Sequence, residues 1–320
     1  KYEWTAISIM TSLFILVGFI QGWSVSLVIL NMCIISAIMT MGVNISWGYA
    51  GVINFGVMGF LAMGGLAAVL VSYPPIKEAW QVGGSGLGIS FILLVALITA
   101  VYFITKLVDK KSHKYWINGL LIFFGLIIIR FFFLNATSRI EEVDPALAGF
   151  LGGANLPIIF SWAVGGFFAG GVAFVIGKVA LGLRSDYLAI VTLGISEIVV
   201  SVLKHEEWLS RGVKNVIGLK RPVPYEINLQ TSDWFINMVA WFNSSKLNEI
   251  IDLDKKQEML NNLIIDASSL FVKLNYAVLF FIVMVVIYYF ANKAQISPWG
   301  RMMRAIRDNE VAAEAMGKNV

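Results

Sequence analysis

Charge is scarce in this sequence. Asp, Glu, Lys and Arg make up 14% of its 320 residues, where a soluble domain carries about a quarter. Hydrophobic residues make up 58%. Such a chain cannot cover itself with polar surface in water, so lipid must solvate part of it. There is one cysteine, Cys33, set in an apolar run. That excludes an internal disulfide and a cysteine-based metal site, and Cys33 reads as a small hydrophobe. The two histidines, His113 and His205, fall in polar stretches with no ligand cluster around them, so no metal site is expected. Net charge is +4 with no Lys/Arg block, which points away from nucleic acid as a partner. A G-x-x-x-x-G-K-[ST] phosphate loop is missing. The pairs Gly177–Lys178 and Gly317–Lys318 lack both the earlier glycine and the following Ser or Thr. The chain is therefore expected to have no catalytic residues and no cofactor of its own. The first apolar run is followed directly by a second, unlike a cleavable signal peptide. The chain opens on Lys1 and not on Met, so its true start is expected to lie elsewhere.

What is abundant is the long apolar run. A membrane helix needs about 20 largely apolar residues. Eight runs qualify: Thr5–Gln21, Ser24–Val43, Gly56–Tyr73, Gly88–Thr105, Trp116–Leu134, Ile158–Gly177, Asp186–Leu203 and Asn275–Ala291. The expected fold is an all-α polytopic membrane helix bundle. Residues 1–203 form the bundle, with a broken Gly-rich helix at 44–65. Residues 204–274 form an external cap, 275–291 a last span, and 292–320 a cytoplasmic segment.

Lysine and arginine in the short loops orient the chain. One alternating set holds Lys1, Lys106, Lys110, Lys111, Lys114, Lys178 and Arg184, and the tail adds Lys293, Arg301, Arg304, Arg307 and Lys318. The opposite short loops hold only Lys77 and Arg139. The first set is thus expected in the cytoplasm. The stretch Lys204–Lys273, too polar for lipid, is expected outside as a folded cap, with Trp208, Trp234, Trp241 and Phe242 available to pack it.

Three segments depart from a plain apolar helix. Asn44–Gly65 reads NISWGYAGVINFGVMGFLAMGG. Glycine permits close helix approach and unwound backbone, and unwound backbone at membrane depth survives only beside protein or a water-filled path. This segment is either a broken helix lining a translocation route or a tightly packed glycine face. Gly165–Gly177, GGFFAGGVAFVIG, places Gly166 and Gly170 four residues apart and reads as a face for close helix packing. In the span from Asp186, that residue either caps the helix N-terminus or meets solute. Glu197 lies deeper, and the cost of a carboxylate in hydrocarbon predicts that it faces the bundle interior. There it makes either a structural hydrogen bond or part of a path. Arg130, near the end of its run, can snorkel outward.

The tail reads SPWGRMMRAIRDNEVAAEAMGKNV from Ser297. Ser297 then Pro298 is a helix start, and Gly317 is a helix stop. Between them Met302, Ile306, Ala313 and Met316 trace an apolar stripe beside Arg301, Arg304, Arg307, Glu310 and Glu314. The stripe fits a basic helix lying on an anionic leaflet or a helix docked in a partner's groove. Periodicity alone leaves both open.

This tail resembles the cytoplasmic coupling loop of branched-chain amino-acid ABC transporter permeases of the LivM-like family. NISWGYAGVINFG resembles that family's Gly-rich early span, and LRSDYLAIVTLGISEI, Leu183–Ile198, its mid-chain signature. The resemblance implies a permease subunit that forms a path for branched-chain or other hydrophobic amino acids. Its implied partners are a second, LivH-like permease, two ABC ATPase subunits that bind ATP, and an extracytoplasmic solute-binding protein. The membrane would be the bacterial or archaeal cytoplasmic (inner) membrane. The candidate path residues are Asn44, Gly48, Tyr49, Gly51, Asn54, Gly56, Tyr187, Thr192 and Glu197. The resemblance assigns Arg301, Arg304, Arg307, Glu310, Ala313, Glu314 and Gly317 to ATPase coupling. Two features depart from the family pattern. LSRGVKNVIGL, Leu209–Leu219, stands where a small T-G-G-x-x-G-like stretch is usual, and it carries Arg211 and Lys214. The family also continues past the coupling loop, so a longer permease is expected.

Competing readings are a urea or amide ABC permease, a structural membrane subunit, and an ion-coupled secondary transporter or channel using Asp186 and Glu197.

Overall fold

The computed structural model describes residues 2–107, 111–145, 149–180, 183, 185–249, 252–315 and 317. Side chains at Lys1, Lys110, Lys111, His113, Lys114, Arg184, Asp186, Glu310, Met316 and Lys318, singled out above, lie outside the described residues. In chain order the helices are α1 (Tyr2–Gln21), α2 (Trp23–Asn44), α3 (Val57–Ser72), α4 (Lys77–Leu107), α5 (Lys111–Glu142), α6 (Ile158–Ala180) and α7 (Ser185–His205). Four short helices follow: α8 (Glu207–Ser210), α9 (Glu226–Gln230), α10 (Asp233–Phe242) and α11 (Ser244–Asn248). The last are α12 (Leu253–Ile296), α13 (Pro298–Asp308) and α14 (Glu310–Ala315). No strand occurs among the described residues. Seven of the described helices are long and apolar enough to cross a membrane, and α3 is a shorter apolar helix of 16 residues. The chain is a polytopic helical membrane protein.

Two compact units divide it, one of residues 1–54 and 221–320, the other of residues 55–220. The division cuts across the expected bundle and cap, because both units draw on each.

In the first unit α2 and α12 lie side by side and run in the same direction. Lys273 of α12 donates to Ser24 Oγ, and Asn31 Nδ2 donates to the Lys273 carbonyl at 3.0 Å. α12 is one unbroken helix of 44 residues, about 66 Å long and so roughly twice the thickness of a hydrocarbon core. The span expected at 275–291 is only its last part. Its first half carries the polar cap. Phe235 and Val239 of α10, with Val223 and Leu229, close on Ile264 and Val272 of α12. Apolar contacts at i and i+4 on α10 thus cover the first half of this helix. Of the aromatic residues expected to pack the cap, Trp234 meets Phe271 edge-on, whereas Trp241 and Phe242 stay exposed.

Trp208 belongs to the second unit, where it packs edge-on against Phe133. There α4 and α5 form a long hairpin. α4 starts at Lys77, before the expected Gly88, in spite of its glycines. Gly83 and Gly86 back onto Ile140 and Ala136 of α5, where a Cβ would collide. Tertiary packing outweighs the weak helix propensity of glycine there. α3 packs on α6 through Gly165, whose added Cβ would sit 3.2 Å from Gly64 Cα. The packing glycine is therefore Gly165. The expected pair Gly166 and Gly170 faces open space within this chain.

Candidate functional site

Of the Gly-rich segment expected to be broken over residues 44–65, residues 57–65 are helical in α3 and the α-helix is interrupted only between α2 and Val57. α2 passes into a π-helical turn at Ile45–Tyr49, and residues 51–55 are not helical. Gly51 sits at φ +71, in the left-handed region that favours glycine. The carbonyls freed by the turn find partners. Ser46 O accepts from Val52 N at 3.0 Å, and Trp47 O accepts from Gly51 N at 3.1 Å. Gly48 O accepts from outside the segment, from Nη1 of Arg307 on α13 at 2.6 Å. The approach is close. A Cβ at Gly51 would lie 2.5 Å from Arg307 Cγ, and one at Gly48 would strike the Asn44 side-chain oxygen. So Asn44, Gly48 and Gly51, expected on a path, and Arg307, expected in coupling, form one cluster. Tyr49 and Asn54 are half-buried in the same stretch.

After Asn54 the chain enters the second unit. Here two backbone N–H groups around the start of α3 are met by side chains of α7. Phe55 N donates to Thr192 Oγ1 at 3.1 Å, and Gly59 N donates to Ser196 Oγ at 2.7 Å. Gly56 is buried at this helix start. Thr192 and Ser196, both 2% exposed, are therefore positioning residues for α3. Ser196 went unmarked in the sequence, although its i, i+4 spacing from Thr192 was there to be read.

Glu197 does not face inward within this chain. It lies on the exposed side of α7, as does Tyr187. Leu188, Ala189, Thr192 and Ser196 make up the buried stripe, and one further residue turns Glu197 about 100° away from Ser196. Asp186 opens α7, with its side chain outside the described residues.

The tail is held in place by its own chemistry. Ser297 Oγ accepts from Gly300 N at 3.4 Å, and Pro298 occupies the first turn of α13. Gly300 is buried hard against the Gln295 and Ala294 carbonyls, leaving no room for a Cβ. Arg301 Nη1 donates to Ile296 O at 2.8 Å, and Arg304 Nη2 to Gln295 O at 3.3 Å. These arginines satisfy the orphan carbonyls at the end of α12. Nε and Nη2 of Arg307 both pair with Asp308 Oδ1, at 3.0 and 2.9 Å, which leaves Nη1 for Gly48.

The expected single helix to Gly317 is interrupted. Asn309 is extended (φ −161, ψ 104), and its Oδ1 accepts from Ala312 N at 3.0 Å to start α14. An Asn side chain that competes with the helix backbone explains the break. α13 and α14 then enclose a groove of about 580 Å³, lined by Met302, Ala305, Ala312 and Ala313 among others. Ala313 is buried at its floor and Glu314 is exposed. Gly317 adopts φ +73, and its N–H returns to Glu314 O at 2.9 Å, as a helix stop requires. Glu310 begins α14, with its side chain outside the described residues.

A profile for the family described as branched-chain amino acid transport system / permease component matches residues 25–320. The chain belongs to that family. No curated protein and no solved structure matches it. For a transport permease component, the cluster joining α13 to the broken helix and the grooved tail are the structural features of interest. Among the described residues there is no group of His, Cys, Asp and Glu able to hold a metal.

Proposed function

We propose that the protein is a LivM-like permease subunit of an ABC importer for branched-chain or related hydrophobic amino acids. It would work in a bacterial or archaeal inner membrane with a LivH-like second permease, two ATPases and an external solute-binding protein. The family match supports the class. The observation that carries the mechanism is the tail: a capped, grooved pair of helices fastened to the end of a 44-residue helix.

In this reading the tail lies in the cytoplasm and seats against an ATPase subunit. ATP hydrolysis resides on that partner. Its closure moves α13, and α13 moves the end of α12 and the broken segment after α2. The groove floor is apolar while Arg301 and Asp308 line its edge, so a partner side chain can enter with charge fixing register. Tyr187 and Glu197, exposed on α7, are the side chains offered to the path. The coupling role of Arg301 and Arg304 is indirect: they brace the elbow.

Co-purification from native membranes with an affinity-tagged chain tests this reading. Two ATPases and a second permease are expected with the wild type. Ala312→Trp fills the groove from an exposed position and is expected to release the ATPases while the second permease remains. Retention of both ATPases by Ala312→Trp would remove the tail from the docking surface and favour a membrane-surface helix.

A further inference from the structure

We infer that Arg307 is the positioning residue through which the tail controls the broken helix. The inference rests on the importer reading above. Three features of the structure meet at this side chain. First, Gly48 O is a carbonyl of a π-helical turn, and a guanidinium takes it at 2.6 Å. A charge-assisted bond of this kind is stronger than a neutral one. Second, the guanidinium is aimed before it reaches the turn: Asp308 holds Nε and Nη2, so Nη1 has one direction left. Third, Gly51 leaves no space between the broken backbone and the aliphatic stem of Arg307. Contact of stem and head together makes a rigid linkage between α13 and the turn.

The neighbouring arginines do something different. Arg301 and Arg304 bond back to α12, the helix that α13 grows from. Arg307 alone of the three reaches a segment remote in sequence. π-turns are locally strained and recur at functional positions. With Arg307 in place the turn keeps its open register. With α13 displaced, the Gly48 carbonyl loses its donor, and the backbone regains a partner by rewinding toward α-helical bonding. Motion of the tail then becomes a change of register at the start of the non-helical stretch, and the glycines there let the backbone follow.

The test uses the complete complex in proteoliposomes, with leucine as the transported probe. ATP hydrolysis and leucine uptake are measured together on Arg307→Ala and Arg307→Lys. Arg307→Ala is expected to retain its ATPases and their hydrolysis, while uptake per ATP falls about tenfold, the worth of one hydrogen bond to a charged group. Arg307→Lys, which keeps a cationic donor, is expected to recover part of the loss. Separately, Gly51→Cys with Arg307→Cys is made in a Cys33→Ala background. The Cβ positions are 3.3 Å apart, near the separation of about 3.8 Å that a disulfide uses. Oxidation is expected to cross-link the pair and to abolish what uptake the reduced variant keeps, that uptake being already far below wild type because both residues are replaced. Wild-type uptake per ATP in Arg307→Ala would overturn the proposal. So would loss of the ATPases from that variant, which would make Arg307 a docking residue, or uptake that continues with the cross-link closed. A wild-type chain that carries no ATPase would instead defeat the importer reading itself.

Discussion

At the scale of single residues, the structure spends its few polar side chains on backbone groups. Thr192 and Ser196 serve the start of α3, Ser297, Arg301 and Arg304 the turn from α12 into α13, and Asn309 the start of α14. For Thr192 and Ser196, which lie in a helix of spanning length, no water in hydrocarbon can do this work. Ser196→Ala removes one of the two acceptors of the Gly59 N–H, leaving Gly56 O at 3.1 Å, and is expected to destabilise by about 0.5–1.5 kcal/mol. Thermal unfolding in detergent reads the effect, and an unchanged midpoint would show that the bond adds nothing. Gly51→Ala puts a side chain at φ +71 and against Arg307. Transport is expected to be lost or severely reduced while the chain still inserts, because the clash lies at one end of a helix and not in its span. Full activity in Gly51→Ala would mean that the turn and α13 separate easily.

At the scale of elements, length and period carried most of the information. Seven helices of spanning length and the short α3 correspond to apolar runs that any 20-residue window finds. Clustered glycine and asparagine pointed to an irregular stretch at 44–65, of which the part after Gly56 is helical, and Ser297, Pro298 and Gly317 pointed to the tail helix. Four things were not legible. Extension of α12 to 44 residues depends on α10 packing against its polar half, a contact between distant segments. The interruption at Asn309 depends on a side chain choosing a cap over the helix. The inward placement expected of Glu197 assumed that burial cost alone decides a face, but the Thr192–Ser196 stripe fixed the rotation of α7. Gly300 was likewise invisible as a requirement, because its crowding comes from the carbonyls of Gln295 and Ala294 at a turn whose angle the sequence does not state. Gly300→Val is expected to open that turn and to release the ATPases, while the cap core around Phe235 and Ile264 keeps its protease resistance. Retained ATPases in Gly300→Val would show that the angle between α12 and α13 does not matter.

At the scale of the whole molecule, positive charge orients the expected topology, with the cap at 204–274 outside and the tail inside. Two positions test it. Lys214 pairs with Glu207 at 2.6 Å on the exposed surface, and Lys255 lies near the start of α12. With Cys33→Ala as background, single cysteines at these positions are expected to react with an impermeant maleimide in intact cells. Protection there, with labelling only after lysis, would invert the orientation and move the tail to the wrong face for an ATPase. The energy source remains the dividing line between an ABC importer and an ion-coupled transporter that uses Glu197. It is settled most directly by following radiolabelled leucine into proteoliposomes that hold the purified complex, with its binding protein outside. Uptake is expected when ATP and Mg²⁺ are present on the tail side, and expected to be absent with a proton or sodium gradient alone. Uptake driven by an ion gradient without ATP, and abolished by Glu197→Gln, would contradict the importer mechanism.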